Sequence, residues 1–275
     1  METFNFEQYQ NIVIKVGSAL IAPDGMSCST QYCLPLANFI KKCESLEKRI
    51  TLVSSGAVAA GFNTLRPQND TLSLDEKQAL AAVGQSKVIN HWQRFFDNHV
   101  AQVLLTAADM QNHSRSANAH RTLNTLHQHR VLPIVNENDT VAIEELKFGD
   151  NDRLAAQVAC LINADLLIIC SDVDGVFTDN PHLNPQAKLI NTIDTIDESV
   201  LSLGQNSHNP QATGGMLTKL LAAQLAQNHG IDTVICNGKT EAYLPLLQDQ
   251  CAGTWVVSDK PLDRENAARI RNTYP

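Results

Sequence analysis

The chain has 275 residues, with 21 Lys and Arg against 29 Asp and Glu, giving a formal charge of −8 at pH 7. Its 43% hydrophobic and 18% charged residues are ordinary globular usage and exclude a disordered chain. The acidic balance excludes a general nucleic-acid binder, although a local lysine cluster can still hold a small anion.

In chain order, β-branched and aliphatic runs predict strands at 11–16, 50–53, 100–105, 131–135, 165–170, 233–236 and 253–257. Helical patterns alternate with them at 30–48, 56–65, 75–98, 115–129, 151–163 and 215–229, the last stopped by Gly230. Most strands are apolar on both faces, which predicts an α/β fold around a mainly parallel, doubly wound sheet. Two segments break the rhythm, the acidic stretch 136–150 and the Asn-, Pro- and Gly-rich stretch 178–215. Both are expected to be functional loops. Apolar runs such as Leu166–Leu167–Ile168–Ile169 fall far below the ~20 residues of a membrane span. The start, METFNFEQYQN, lacks the regions of a signal peptide. A cytoplasmic protein with no membrane partner is expected. Seven cysteines without a CxxC pair fit neither a disulfide framework nor a zinc ribbon, and Cys160, Cys170 and Cys236 read as small buried hydrophobes.

Chemistry concentrates at the ends of the predicted strands. Lys15 interrupts a β-branched run and is followed by Gly17. It is either a snorkelling residue on an edge strand or a ligand-facing lysine at the carboxyl end of a central one. Ser54-Ser55-Gly56 enters a small-residue helix, as either a simple cap or an anion cradle. Thr213-Gly214-Gly215-Met216-Leu217-Thr218-Lys219 opens another helix in the manner of a phosphate cradle, although the chain contains neither a Walker A loop nor a GxGxxG. Asn136-Glu137-Asn138-Asp139 and Gly149-Asp150-Asn151-Asp152 gather more carboxylates and amides than capping needs, so they suit an ammonium, Mg2+ or a lysine. Ser171-Asp172 and the Asp174-Gly175 pair suit a nucleotide edge or a plain turn. His113, His120, His127 and His129 lie on a polar helix and read as solvated. Two lysines with glycine-rich helix starts suit phosphoryl transfer, which needs positioning and positive charge more than a covalent nucleophile.

In this order, IVIKVGS, LVSSGAVAAG, AAVGQSK, LLTAADM, LPIVNENDTVA, FGDND, SDVDGVFTDNP and TGGMLTK resemble the glutamate 5-kinases of the amino acid kinase superfamily, from about residue 10 to 258. The resemblance implies a three-layer αβα sandwich, with a catalytic domain over 1–258 and a tail over 259–275. It implies transfer of phosphate from ATP, with Mg2+, to the side-chain carboxylate of L-glutamate, the first step of proline biosynthesis. Lys15 and Lys219 would stabilise the transferring group, and Asp152 would hold the two lysines. Ser55, Gly56, Asp139 and Asn151, with Asn136 and Asp150, would bind glutamate. Lys15, Gly17, Ser171, Asp172 and residues Thr213, Gly214, Gly215, Met216, Leu217, Thr218 and Lys219 would hold ATP, with no resident metal site. Proline as a feedback inhibitor and a homo-oligomer are further implications. The PUA domain of many bacterial members has no counterpart here, so no nucleic-acid contact is expected. Ser54 stands where the family usually has Thr. Relatives that phosphorylate acetylglutamate, aspartate or carbamate, and a sensor that only binds, are the competing expectations.

Overall fold

The computed structural model describes residues 3–67, 72–142, 151–181, 183–205 and 215–258. Its strands are β1 (Asn11–Val16), β2 (Arg49–Ser54), β3 (Val100–Leu105), β4 (Leu132–Glu137), β5 (Leu166–Ser171), β6 (Thr192–Ile193), β7 (Asp232–Asn237) and β8 (Thr254–Val256). They form one sheet in the order β3-β4-β2-β1-β5-β7-β8-β6. All the ladders are parallel except β7 with β8. The described helices are α1 (Ser18–Ile21), α2 (Thr30–Ser45), α3 (Ala57–Leu65), α4 (Leu74–Gln93), α5 (Ala107–Gln111), α6 (His113–Gln128), α7 (Asp152–Leu161), α8 (Glu198–Gln205) and α9 (Met216–Gln227).

Period-two alternation sorts each strand between two cores. On one face, Ile12, Ile14 and Val16 of β1 pack with Leu36, Phe39 and Ile40 of α2 and Val88 and Trp92 of α4. On the other, Val13, Val53 and Ile169 meet Leu123 of α6, Leu154 and Val158 of α7 and Leu220 and Ala223 of α9. Each fully buried aliphatic side chain contributes about 1.5–3 kcal/mol, so both helical layers are held by many such terms. Lys15 shares the face of Val13, and that parity aims it at the layer containing α7 and α9.

Several expectations need correction. β1 is the fourth of eight strands, which rules out the edge-strand reading of Lys15. Stretch 178–215 carries β6 and α8 rather than only loop. The helix is started by Asp197, whose Oδ1 accepts from the Val200 N–H at 3.0 Å and the Ser199 hydroxyl at 2.6 Å. Asn136 and Glu137 belong to β4, because Leu104 and Leu105 of β3 extend the ladder to them. The short α1 and α5 were not anticipated, and α4 ends at Gln93, five residues earlier than expected. Cys160 is half-buried rather than fully buried. The tail 259–275 lies outside the described residues.

Gly61 and Gly84 let α3 and α4 touch backbone to backbone: a Cβ at Gly61 would collide with the Leu80 carbonyl, and one at Gly84 with that of Ala57. At the amino ends of the strands, Lys48, Asp165 and Asp232 are satisfied by the protein itself. The buried Lys48 ammonium donates to the Phe6 and Tyr9 carbonyls at 2.9 and 2.7 Å. Asp165 accepts from the Gln10 and Asn11 N–H groups, and Asp232 from Tyr9, Trp255 and Ser258. Among the described residues no helix is long and apolar enough to cross a membrane.

His127 also departs from the solvated reading. It is half-buried, with Nε2 2.9 Å from the Thr51 hydroxyl of β2, and burial, with the Arg49 charge, pushes its pKa down to about 4. Its folded-state pKa lies below the unfolded value of 6.5, so the stability it contributes is complete above that pH and is lost as pH falls toward 4. The urea midpoint is expected to drop between pH 6.5 and 4 more steeply in the wild type than in His127→Gln. Equal slopes would show that His127 does not titrate this way.

Candidate active site

Lys15, Asp152 and Lys219 come from three elements and meet in one buried cluster. The Lys15 Nζ lies 2.5 Å from Asp152 Oδ1, and Lys219 Nζ lies 3.1 Å from Oδ2. The side chains are 5%, 0% and 4% exposed, respectively. Lysine is almost never buried unless paired. Here one carboxylate, on the first turn of α7, pairs two ammoniums, so the cluster keeps a formal charge of +1. Thr218 Oγ1 lies 3.1 Å from Asp152 Oδ2 and 2.7 Å from the Gly215 carbonyl, which ties the first turn of α9 to the same carboxylate.

The helix starts divide into two kinds. α2, α4, α5 and α6 each have a side-chain N-cap, from Ser29, Ser73, Thr106 and Asn112. Apart from the four-residue α1 at Gly17, the helices that begin with no side-chain cap bond are α3, α7 and α9, at Gly56, Asn151 and Gly215. These three lie around the lysine cluster, so their first-turn N–H groups and positive dipole ends are left for an anion. Gly56 has φ +92°, and a Cβ there would stand 2.8 Å from Ile21 Cγ2, so the turn from β2 into α3 requires glycine. Gly17 differs: its φ is −69°, but a Cβ would occupy the space 3.9 Å from Lys15 Nζ. Its value is therefore the open approach to that ammonium.

Toward β2 and β4 the site is lined with amides. Asn151 stands at the N-cap position of α7 without capping it: its Nδ2 donates to the Ser54 carbonyl at 3.0 Å and to Asn136 Oδ1 at 2.6 Å. Asn136 Oδ1 also accepts the Glu137 N–H at 2.9 Å, and its Nδ2 donates to Gln85 Oε1 at 2.6 Å. Ser54 is held in turn, its Oγ accepting from Trp92 Nε1 at 3.1 Å. Ser55 is half-buried at the start of α3, its N–H donating to the Val16 carbonyl at 3.1 Å. Asp139 is half-buried on the turn after β4.

On the other side of β1, the buried Ser171 ends β5 and donates to the exposed Asp172 at 3.3 Å. Lys239, just past β7, lies 3.8 Å from Asp172, and Asn237 donates to Asp174 at 2.7 Å. Gly215, Met216, Leu217 and Thr218 are half-buried at the start of α9. Asp150, Thr213 and Gly214 lie outside the described residues. Burial holds the Cys33, Cys43 and Cys160 thiols up at about 12 and Cys251 at about 11, which leaves them inert at neutral pH.

Residues 10–237 match the amino acid kinase family. The glutamate 5-kinase of Idiomarina loihiensis is 47% identical over 247 residues, covering 90% of this chain and 67% of that protein. The chain belongs to the amino acid kinase family, on its glutamate 5-kinase branch. The glutamate 5-kinase of Salinibacter ruber is 49% identical over 249 residues, covering 90% of this chain and 66% of its own length. The chain thus spans about two thirds of the length of these relatives. Among solved structures, carbamate kinase from Giardia lamblia bound to AMP-PNP superposes with a TM-score of 0.62 at 14% identity, over 92% of this chain and 100% of that one. UMP kinase from Bacillus anthracis gives 0.61 at 17%, over 92% and 97%. Both are likenesses of fold, and both agree with the three-layer amino acid kinase architecture.

Within that family fold, the structure brings Lys15, Asp152 and Lys219 into contact and sets Asn136 and Asn151 in one hydrogen-bonded relay. Gln85 was missed by the sequence reading. Its signal lay in α4, where a glutamine occupies the buried stripe Leu80, Ala81, Gly84, Gln85, Val88, Trp92. Asn237 and Lys239 were missed as well, since a polar pair after a strand looks like an ordinary turn. Asp152→Asn leaves two buried ammoniums without a counter-charge and is expected to cost about 3–5 kcal/mol of folding stability. Lys219→Met should cost less, because Asp152 keeps Lys15. Guanidinium denaturation of the two variants checks the order, and the reverse order would mean that the cluster is not held by Asp152.

Proposed function

We propose that this chain transfers the γ-phosphoryl group of ATP to the side-chain carboxylate of L-glutamate, giving L-glutamyl 5-phosphate, with Lys15 and Lys219 stabilising the group in transit. The observation that carries the reading is the buried pair of ammoniums held on one carboxylate at the carboxyl end of β1. A transferring phosphoryl group spreads negative charge over three equatorial oxygens, and preorganised cations in a dry site stabilise that charge most. The acceptor carboxylate is already ionised at neutral pH, so the reaction needs no general base. That fits a site whose central carboxylate is spent on two lysines.

The phosphates of ATP would lie against the uncapped start of α9 and the open backbone at Gly17, with Ser171 and Asp172 toward the nucleoside. Glutamate would lie toward β2 and β4, its ammonium on Asp139 and its carboxylates near Ser55, Gly56, Asn136 and Asn151, and the family resemblance alone adds Asp150 to its contacts. Among the described residues no three His, Cys, Asp or Glu side chains gather to hold a metal. Both Asp152 oxygens face ammoniums, so Mg2+ would ride on the nucleotide phosphates, where oxygen and water suffice, and would neutralise phosphate charge. Cytoplasmic location goes with this reading, and a homo-oligomer and inhibition by proline complete it on the family resemblance alone. The rate at subsaturating glutamate with added proline, and sedimentation, test the last two.

With Mg-ATP and hydroxylamine, which traps acyl phosphates, hydroxamate is expected with L-glutamate and not with N-acetylglutamate or aspartate. Signal with another acceptor would overturn the substrate, and none with any of them would overturn the activity. Lys219→Ala is expected to lower kcat by at least 100-fold with the glutamate KM little changed, because its charge acts on the transition state. Wild-type turnover in that variant would remove Lys219 from the mechanism. Asp139→Ala is expected to raise the glutamate KM at least tenfold with the ATP KM unmoved; an unchanged glutamate KM would place the substrate elsewhere.

A further inference from the structure

The amide relay has only one self-consistent orientation, and that orientation leaves one donor over. At one end, Asn151 must present Nδ2, because its neighbour Ser54 offers a carbonyl, 3.0 Å away. In the middle, Asn136 must present Oδ1 to the backbone N–H of Glu137, 2.9 Å away, and the same oxygen takes Asn151 Nδ2. Asn136 Nδ2 then faces Gln85, so Gln85 has to answer with Oε1, at 2.6 Å. Two backbone groups thus fix all three amides. The remaining end of Gln85 is Nε2, a donor pair that is buried without a hydrogen-bond partner, on a residue only 8% exposed. Buried donors in folded proteins are rarely left unpaired, and an orphan at a binding site points to the group that completes it.

We infer that Gln85 is a substrate-recognition residue whose Nε2 donates to the α-carboxylate of the amino-acid acceptor. The inference rests on the proposed glutamate kinase reading and adds the contact that tells the two ends of glutamate apart. The sheet order decides which end it meets. The reacting carboxylate has to reach Lys15 and Lys219, on β1 and α9, and the nucleotide side runs from there toward β5 and β7. The amide relay lies on the opposite side, across β2 and β4, so the amino-acid end of the substrate falls to Gln85. Asp139 supplies an anion for the ammonium there, and Gln85 supplies a neutral donor for the carboxylate beside it. A neutral amide avoids a third buried cation beside Lys15 and Lys219. It also discriminates by chemistry, because its donor bonds a charged carboxylate more strongly than the single neutral carbonyl oxygen of a carboxamide.

Gln85→Glu is the discriminating variant. One carboxylate oxygen still accepts from Asn136 Nδ2, so the relay persists, while the donor becomes an acceptor. The acceptors compared are L-glutamate and its analogue with the α-carboxylate converted to a carboxamide. The wild type should prefer glutamate. In Gln85→Glu, kcat/KM for glutamate should fall at least 100-fold and the preference should move at least tenfold toward the carboxamide, with the ATP KM unchanged within twofold. Equal losses for both acceptors, or no loss, would overturn the inference. A Gln85→Glu protein that gives no ATP-dependent thermal shift is replaced by Gln85→Met, which keeps length and drops both polar atoms. There the glutamate KM should rise at least tenfold with kcat within threefold, and an unchanged KM overturns the inference. Wild-type protein that phosphorylates neither acceptor sinks the kinase reading itself, whereas wild-type turnover with an unshifted preference in the variant sinks only the role of Gln85.

Discussion

Two ammoniums cannot share a dry interior without an anion between them, and Asp152 is that anion. At an effective dielectric near 20, unit charges about 4 Å apart interact by about 4 kcal/mol, comparable with a large part of a domain's net stability. The sheet therefore has to bring Lys15, the start of α7 and the start of α9 together, or keep none of them charged and buried. β1 occupies a central position with helices on both faces, and from there a lysine on the Val13 face reaches two helix starts at once. The same constraint leaves one positive charge in excess beside helix ends without caps, which is the electrostatic shape of a phosphate-transfer site.

The two ends of the sheet use polar residues in opposite ways. At the amino ends, Lys48, Asp165 and Asp232 are saturated by carbonyls, backbone N–H groups, Tyr9 and Trp255, and they fasten the chain start to the sheet. At the carboxyl ends, α3, α7 and α9 forgo side-chain caps, and Gln85 keeps an unmatched donor. The saturated carboxylates and ammonium at one end give rigidity, and the uncapped helix starts with the Gln85 donor at the other leave room for a ligand.

Much of this was legible in the sequence, for identifiable reasons. A lysine inside a run of Ile and Val has no comfortable place except beside a partner, so Lys15 announced itself, and glycine-rich helix starts marked Gly56 and Gly215. The strands of the parallel sheet were readable because burial on both faces leaves uninterrupted aliphatic runs. Other features depend on who packs against whom. Glutamine is a good helix former, so Gln85 carries no local signal, and only the buried stripe of α4 gives it meaning. Asn151 suits either a cap or a ligand contact in the sequence, and only the nearby Ser54 carbonyl and Asn136 amide show where its side chain goes. β6 is two residues long and exists through β8, and His127 hides in a polar helix because one turn of it happens to face Thr51.

The backbone contact between α3 and α4 has a mechanical consequence. With Gly61 against Leu80 and Gly84 against Ala57, neither helix can slide or tilt alone without a clash. Ser55 and Gly56 lead into the first helix and Gln85 sits on the second, so the acceptor side of the cleft behaves as a single jaw. Through the Gln85–Asn136–Asn151 hydrogen bonds the same pair is also tied to β4 and to the start of α7, next to Asp152. The spacing of Ser55, Gly56 and Gln85 is thereby set by helix backbones in contact and not by side chains that can change rotamer.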